Sequence, residues 1–209
     1  MKKKIRKNAI FALWTIAAMI VIASCSSEMI TETETFVNER EQKVSQSTPP
    51  GLTAKDNPAA QNRLLAEIRR HTAKFHDQEY AISEGYVLGS HCVYAEGLGA
   101  MGYHYVRPDL VGGGFNHIQP QALLYEPQED GGMELVGVEY IIVAELWDMG
   151  NDEPPKLGDT VFDFMEAKPA GEGLEFDNYQ LHVWVWRPNP LGMYFPFNPD
   201  VSCEPGLML

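Results

Sequence analysis

The chain has 209 residues, 44% hydrophobic and 22% charged, enough apolar material for one domain of ordinary size with a real core, which excludes wholesale disorder. Sixteen Lys and Arg against 29 Asp and Glu give a net charge of −13, and so acidic a chain repels phosphate backbones, which argues against a nucleic-acid partner. Three cysteines are too few for a disulfide-dense miniprotein.

The first element is an address. Lys2, Lys3, Lys4, Arg6 and Lys7 form a basic start, and an apolar run of 15 residues, Ala9 to Ala23, follows with only Thr15 interrupting it. That run is short for a membrane span of ~20 residues but fits the basic and apolar regions of a secretory signal. It ends in Ile22-Ala23-Ser24-Cys25, which resembles a bacterial lipobox: an aliphatic residue, two small residues, then Cys. The resemblance implies cleavage before Cys25, lipidation of its thiol and new amino group, and attachment of the mature chain to a membrane. An ordinary secretory signal and an uncleaved anchor are the competing readings. Loss of residues 1–24 removes five basic charges and no acidic one, leaving 11 basic against 29 acidic residues, a net of −18.

Residues 25–57 hold the lipidated Cys and a stretch rich in Ser, Thr, Glu, Gln and Asn, with the breaker Pro49-Pro50-Gly51. Low hydrophobicity cannot offset the entropy of ordering, so this is expected to be a disordered tether reaching about 30 Å. A single globular domain is expected over 58–209. It opens with Asn57-Pro58, a good N-cap followed by Pro in the first turn. Leu64, Leu65, Ile68, Thr72, Phe75 and Ile82 recur near helical spacing, predicting a helix to about Ser83 with Gly85 as its terminator.

From Gly85 the period changes to two. Expected strands are Tyr86–Leu88, Met101–Val106, Ala122–Glu126, Leu135–Ala144 and Tyr179–Trp186, with residues 127–133 as a hairpin loop between the third and fourth. Glu153–Gly173, rich in Pro, Gly and acidic residues, reads as a long surface loop. One helix followed by strands predicts an α+β fold, the N-terminal helix packed on a mainly antiparallel β-sheet.

With Cys25 lipidated, Cys92 and Cys203 remain, and in an exported chain they are expected to form a disulfide closing about 110 residues. Two buried free thiols, or a catalytic Cys, are the alternatives.

Familiar motifs fail their context. Gly97-Leu98-Gly99-Ala100-Met101-Gly102 satisfies G-x-G-x-x-G, yet a strand-like Tyr103-His104-Tyr105-Val106 follows where a phosphate-binding helix must begin. Gly112-Gly113-Gly114 lacks the Lys-Ser/Thr of a P-loop, and neither H-E-x-x-H nor G-x-S-x-G occurs.

Ionisable side chains inside apolar strands do stand out: His104, Glu126, Glu139 and His182. A carboxylate buried alone costs several kcal/mol or turns neutral, so partners are expected. Two imidazoles and one or two carboxylates suit a hydrogen-bonded structural cluster, a divalent transition metal, or a ligand or catalytic site without metal. Alternation places Glu139 on a face with Leu135, Gly137, Ile141 and Val143, His182 with Trp184 and Trp186, and His104 with Gly102 and Val106. Gly102 and Gly137 leave room there for a ligand or a large aromatic neighbour. His117 reads as a surface residue, and Trp184, Trp186, Tyr194, Phe195 and Phe197 as core filling.

The strings Gly99-Ala100-Met101-Gly102-Tyr103-His104-Tyr105-Val106, Leu135-Val136-Gly137-Val138-Glu139-Tyr140 and Leu181-His182-Val183-Trp184-Val185-Trp186-Arg187-Pro188-Asn189-Pro190, with the ending Phe197-Asn198-Pro199-Asp200-Val201-Ser202-Cys203, resemble an uncharacterised family of exported bacterial proteins and lipoproteins. The resemblance covers about residues 60–204 and implies an extracytoplasmic domain without a reaction to carry over. Ser26, not Asp, after the lipidated Cys resembles lipoproteins sent to an outer membrane. The functional expectation is a lipid-anchored envelope protein that binds a small ligand or divalent metal through the His/Glu cluster. The alternatives are a metal-dependent enzyme with His104, His182 and Glu139 as a 2-His-1-carboxylate set, and a purely structural envelope protein.

Overall fold

The structure, a computed structural model, describes residues 58–205. The signal, Cys25, the tether and the Asn57 cap lie outside the described residues.

Pro58 starts helix α1 (Pro58–Thr72), whose buried residues Leu65, Ile68 and Thr72 follow the expected stripe. The stripe continues to Phe75, but the helix does not. A 3₁₀ turn (Ala73–His76) leads to Asp77, which is extended and caps a second helix, α2 (Gln78–Ser83), by accepting the Tyr80 N–H at 3.1 Å. Asp favours that capping role over a helix interior, which splits the single helix the periodicity predicts. Gly85, at φ 96°, ends α2 as expected: its N–H donates to Ile82 O and that of Tyr86 donates to Ala81 O.

The fold is α+β, as the pattern predicts. The strands are β1 (Val87–Leu88), β2 (Val93–Ala95), β3 (Gly99–Val106), β4 (Ala122–Pro127) and β5 (Met133–Val143), then a short helix α3 (Ala144–Asp148), β6 (Lys156–Leu157), β7 (Thr160–Val161), β8 (Asp163–Met165) and β9 (Asn178–Val183). The main sheet runs β1-β3-β4-β5-β9-β8, with β2 on the other half of β3, and all its strand pairs are antiparallel. The expected loop at 153–173 instead carries the β6–β7 hairpin and the edge strand β8, all too short to show a period. The last expected strand stops at Val183, where Trp184 turns its N–H to Met193 O.

One sheet face packs on the helices, joining Leu65, Ile68 and Phe75 to Leu123, Tyr125, Val138, Tyr140 and Ile142. Burying these rings and aliphatics, at ~1.5–3 kcal/mol each, supplies most of the drive to fold. The opposite face holds a smaller cluster of Ala100, Leu124, Val136, Trp184 and Val201.

Two irregularities set what each face displays. The β4–β5 register slips between Leu124 and Tyr125, which pair with Gly137 and Leu135, so Val136 is extra. That bulge turns Leu135 onto the helix face, away from Glu139, against simple alternation. In β3 the slip against β2 falls at Met101, next to Gly102 at φ 87°. A Cβ on Gly102 would meet Tyr125 O at 2.6 Å, and one on Gly137 would meet Leu124 and Trp184 at 3.2 and 3.3 Å. The room at both glycines is thus taken by neighbouring backbone and a large aromatic, not by a ligand. Gly102→Ala combines a left-handed backbone with that backbone clash and is expected to lose about 2–3 kcal/mol in urea unfolding.

Candidate metal centre

Three of the four ionisable residues singled out by pattern meet on the face opposite the helices. Glu139 of β5 and His182 of β9 are directly paired across the strands. His104 arrives from β3, one strand beyond β4, and the β4 partner of Glu139 is Ala122, whose small methyl group leaves that approach open. His104 Nε2 stands 3.5 Å from Glu139 Oε2, and His182 Nε2 stands 3.7 Å from Glu139 Oε1. The imidazole rings are 5.9 Å apart and nearly perpendicular. One donor atom from each of the three residues lies within 4.8 Å of the other two.

The cluster is buried, with Glu139 2%, His182 4% and His104 8% exposed. Burial pushes Glu139 up to about 8. It holds His104 down at about 4 against the opposing effect of the Gly102 backbone, and His182 at about 3 with the His104 ring acting in the same direction. Near neutrality, without metal, all three groups are therefore uncharged, and no ion pair repays their desolvation. Separations of 3.5 and 3.7 Å are too long for good hydrogen bonds, and His182 Nε2 has no hydrogen-bond partner among the described residues.

Ser90 completes the arrangement. Its hydroxyl donates to His91 O at 2.9 Å and lies 3.0 Å from His104 Nδ1, so with its proton engaged it accepts the Nδ1–H. That tautomer aims the Nε2 lone pair at Glu139, the orientation a metal-ligating histidine needs from its outer partner. Donors about 2.0–2.2 Å from a tetrahedral ion stand roughly 3.3–3.6 Å apart. Here the two imidazole nitrogens stand 3.5 and 3.7 Å from different oxygens of Glu139, and one donor from each residue lies within 4.8 Å of the others. An octahedral ion at ~2.1 Å asks for about 3.0 Å between adjacent donors. Ser90 was not singled out from sequence; only its place two residues before Cys92 sets it apart.

His104 and Glu139 also line a cavity of about 240 Å³. Its walls are mostly apolar, from Val93, Met101, Val106, Ile141, Met165 and Leu174, with Ser90, Asn178 and Gln180 as polar lining, and its solvent side carries Glu166, Lys168 and Glu172. Two of the three clustered residues, His104 and Glu139, thus border this space, while His182 does not line it.

Glu126, the fourth expected ligand, belongs elsewhere. Its Oε2 accepts from Arg187 Nη2 at 2.7 Å and its Oε1 from the Ser202 N–H at 2.8 Å, so it fastens the C-terminal segment. Arg187 and the Ser202 backbone are its counter-charge and donor, which removes any need for a metal. Glu126→Ala is expected to cost about 3 kcal/mol of stability, with metal uptake at the triad unchanged, as read by urea unfolding and zinc titration. His117 is a surface residue as expected, 2.8 Å from Glu67. Trp184 shares the His182 face, whereas Trp186 crosses to the helix side and donates to Thr72 Oγ1 at 3.2 Å. The expected crosslink is present: Cys92 and Cys203 form a disulfide.

No protein family, curated protein or solved structure matches this chain. Among the described residues no helix is long and apolar enough to cross a membrane.

Proposed function

We propose that this chain is a lipid-anchored, extracytoplasmic protein of a bacterial cell envelope, held at the outer membrane through Cys25, and that its domain binds a divalent transition metal through His104, Glu139 and His182. The observation that carries the metal reading is a buried carboxyl set 3.5 and 3.7 Å from two imidazole nitrogens, one of them unpartnered. Left empty, this set holds desolvated polar groups without compensation; one cation satisfies all three. The borderline character of two nitrogens and one oxygen suits Zn²⁺, Cu²⁺ or Fe²⁺ better than Mg²⁺ or Ca²⁺. Support for the anchor comes from the basic start, the apolar run and Ile22-Ala23-Ser24-Cys25. The disulfide agrees with an oxidising compartment.

Metal analysis of protein purified without a His-tag tests the centre. One equivalent of metal is expected, with tetrahedral d–d bands on Co²⁺ substitution and loss of binding in His182→Ala. Absence of stoichiometric metal, with no thermal shift on adding Zn²⁺, Cu²⁺ or Fe²⁺, refutes it and leaves a structural cluster. For the anchor, Cys25→Ser is expected to release the protein from the membrane fraction.

A metal-dependent enzyme is the second reading, favoured by one observation: the cavity beside His104 and Glu139 gives a bound metal an open side.

A further inference from the structure

We propose that the metal centre takes as its outside ligand a small monocarboxylate with a short apolar tail, the carboxylate on the metal's open position and the tail in the adjoining cavity. The inference rests on the metal reading above and names the ligand class of that same site.

Charge is the first argument. A divalent ion held by two neutral imidazoles and one carboxylate leaves one uncompensated positive charge in a buried place. An enclosed charge of that kind draws in one anion, and a neutral amine or alcohol does not cancel it. A dianion is disfavoured, since Glu166 and Glu172 stand on the cavity's solvent side and the chain as a whole carries −13. Lys168, on the same side, partly offsets the two carboxylates for a single negative charge passing them. Thiolates would also supply one charge, but the Cys92–Cys203 disulfide marks conditions in which small thiols are oxidised.

Shape is the second. Hydroxide or chloride would neutralise the metal without needing any cavity. Val93, Met101, Val106, Ile141, Met165 and Leu174 instead supply most of the wall of a space of about 240 Å³, with Ser90, Asn178 and Gln180 as its polar lining, below the usual ~300–1,000 Å³ of pockets for drug-sized ligands. A space this small and mainly apolar fits a chain of a few carbons or a single ring. Met101 and Met165 add unbranched thioether side chains that adapt to tails of different shape.

Calorimetric titration of zinc-loaded, disulfide-intact protein with acetate, butyrate, hexanoate and hexanamide tests this. Hexanoate is expected to bind at least tenfold more tightly to the zinc form than to the metal-free form, and at least tenfold more tightly than hexanamide. Each methylene added along the series is expected to tighten binding about fourfold. Met165→Trp, a change at a partly exposed rim residue, is expected to weaken hexanoate at least tenfold while leaving zinc and acetate binding intact. Equal hexanoate binding with and without zinc, or no gain with chain length, overturns the inference. So does the absence of any carboxylate binding to protein shown to carry one zinc, an outcome that leaves the metal reading standing. Failure to load zinc at all defeats the metal reading itself and this inference with it.

Discussion

Metal-free protein will be most stable near pH 6.5, and Glu139→Gln will abolish the decline on the alkaline side. Glu139 is raised from an ordinary 4.5 to about 8, so between those values the folded chain keeps a proton that the unfolded chain has lost. Its contribution is complete below pH 4.5 and is lost as pH rises through 8, at about 1.4 kcal/mol per pH unit. The histidines act in the opposite sense. Held at about 4 and 3 against an ordinary 6.5, they contribute fully above 6.5, and that contribution is lost as pH falls toward those values. From 4.5 to 6.5 the two imidazoles outweigh the one carboxyl, and stability climbs; from 6.5 to 8 only the carboxyl term remains, and it falls. Gln cannot ionise, so the variant keeps the acid limb and loses the alkaline one. Zinc flattens the alkaline limb in the parent protein, because a ligating Glu139 must be ionised, as it already is in the unfolded chain at these pH values. At pH 7 zinc uptake is expected to release about one proton, measurable by calorimetry in two buffers of different ionisation enthalpy. At a zinc concentration 100-fold above Kd the folded state gains about 2.7 kcal/mol. Urea unfolding from pH 5 to 9, with and without zinc, reads both effects; an alkaline limb that persists in Glu139→Gln counts against the assignment.

The pattern of residues carried the α+β class and pointed to the three side chains that meet in the buried cluster, and for one physical reason. In β5 and β9 a period of two is plain, and an acid or imidazole interrupting Val138-Glu139-Tyr140 or Leu181-His182-Val183 has to be buried with it. What failed depended on contacts between distant residues. Glu126 has the same local signature as Glu139, but its partners are Arg187 and the Ser202 N–H, 61 and 76 residues away. Leu135 changes face because the bulge at Val136 inserts one residue, and nothing in Leu135-Val136-Gly137-Val138 announces it. The helix break at Asp77 was available from chemistry, since Asp caps better than it propagates, yet the apolar spacing on either side concealed it. β8 has three exposed residues and no hydrophobic alternation, so only its pairing with β9 defines it.

Removing the disulfide, in Cys92→Ser combined with Cys203→Ser, is expected to cost about 4–5 kcal/mol. The crosslink joins residues 111 apart, and the chain-entropy model assigns a loop of that length roughly this much stabilisation through the unfolded state. The native contacts point the same way. Cys203 follows Val201, packed with Leu124 and Trp184, and Ser202, whose N–H is held by the buried Glu126. The bond thereby pins the C-terminal segment over the sheet face that carries the His104–Glu139–His182 cluster. At its other end Cys92 lies between Ser90, which orients His104, and Val93, which walls the cavity. Freeing this connection between β1 and β2 loosens the Nδ1 partner of His104, and losing such an outer partner weakens metal sites 10–100-fold. The double variant is therefore expected to unfold at a much lower urea concentration and, where still folded, to bind zinc at least tenfold more weakly. Ser90→Ala separates the two effects: it keeps the crosslink, so zinc affinity falls while the urea midpoint moves little. A double variant with parent-like stability would mean that the contacts of Val201 and Glu126 hold this segment without the covalent bond. A double variant that is unstable yet binds zinc normally would place Ser90 outside the metal's support.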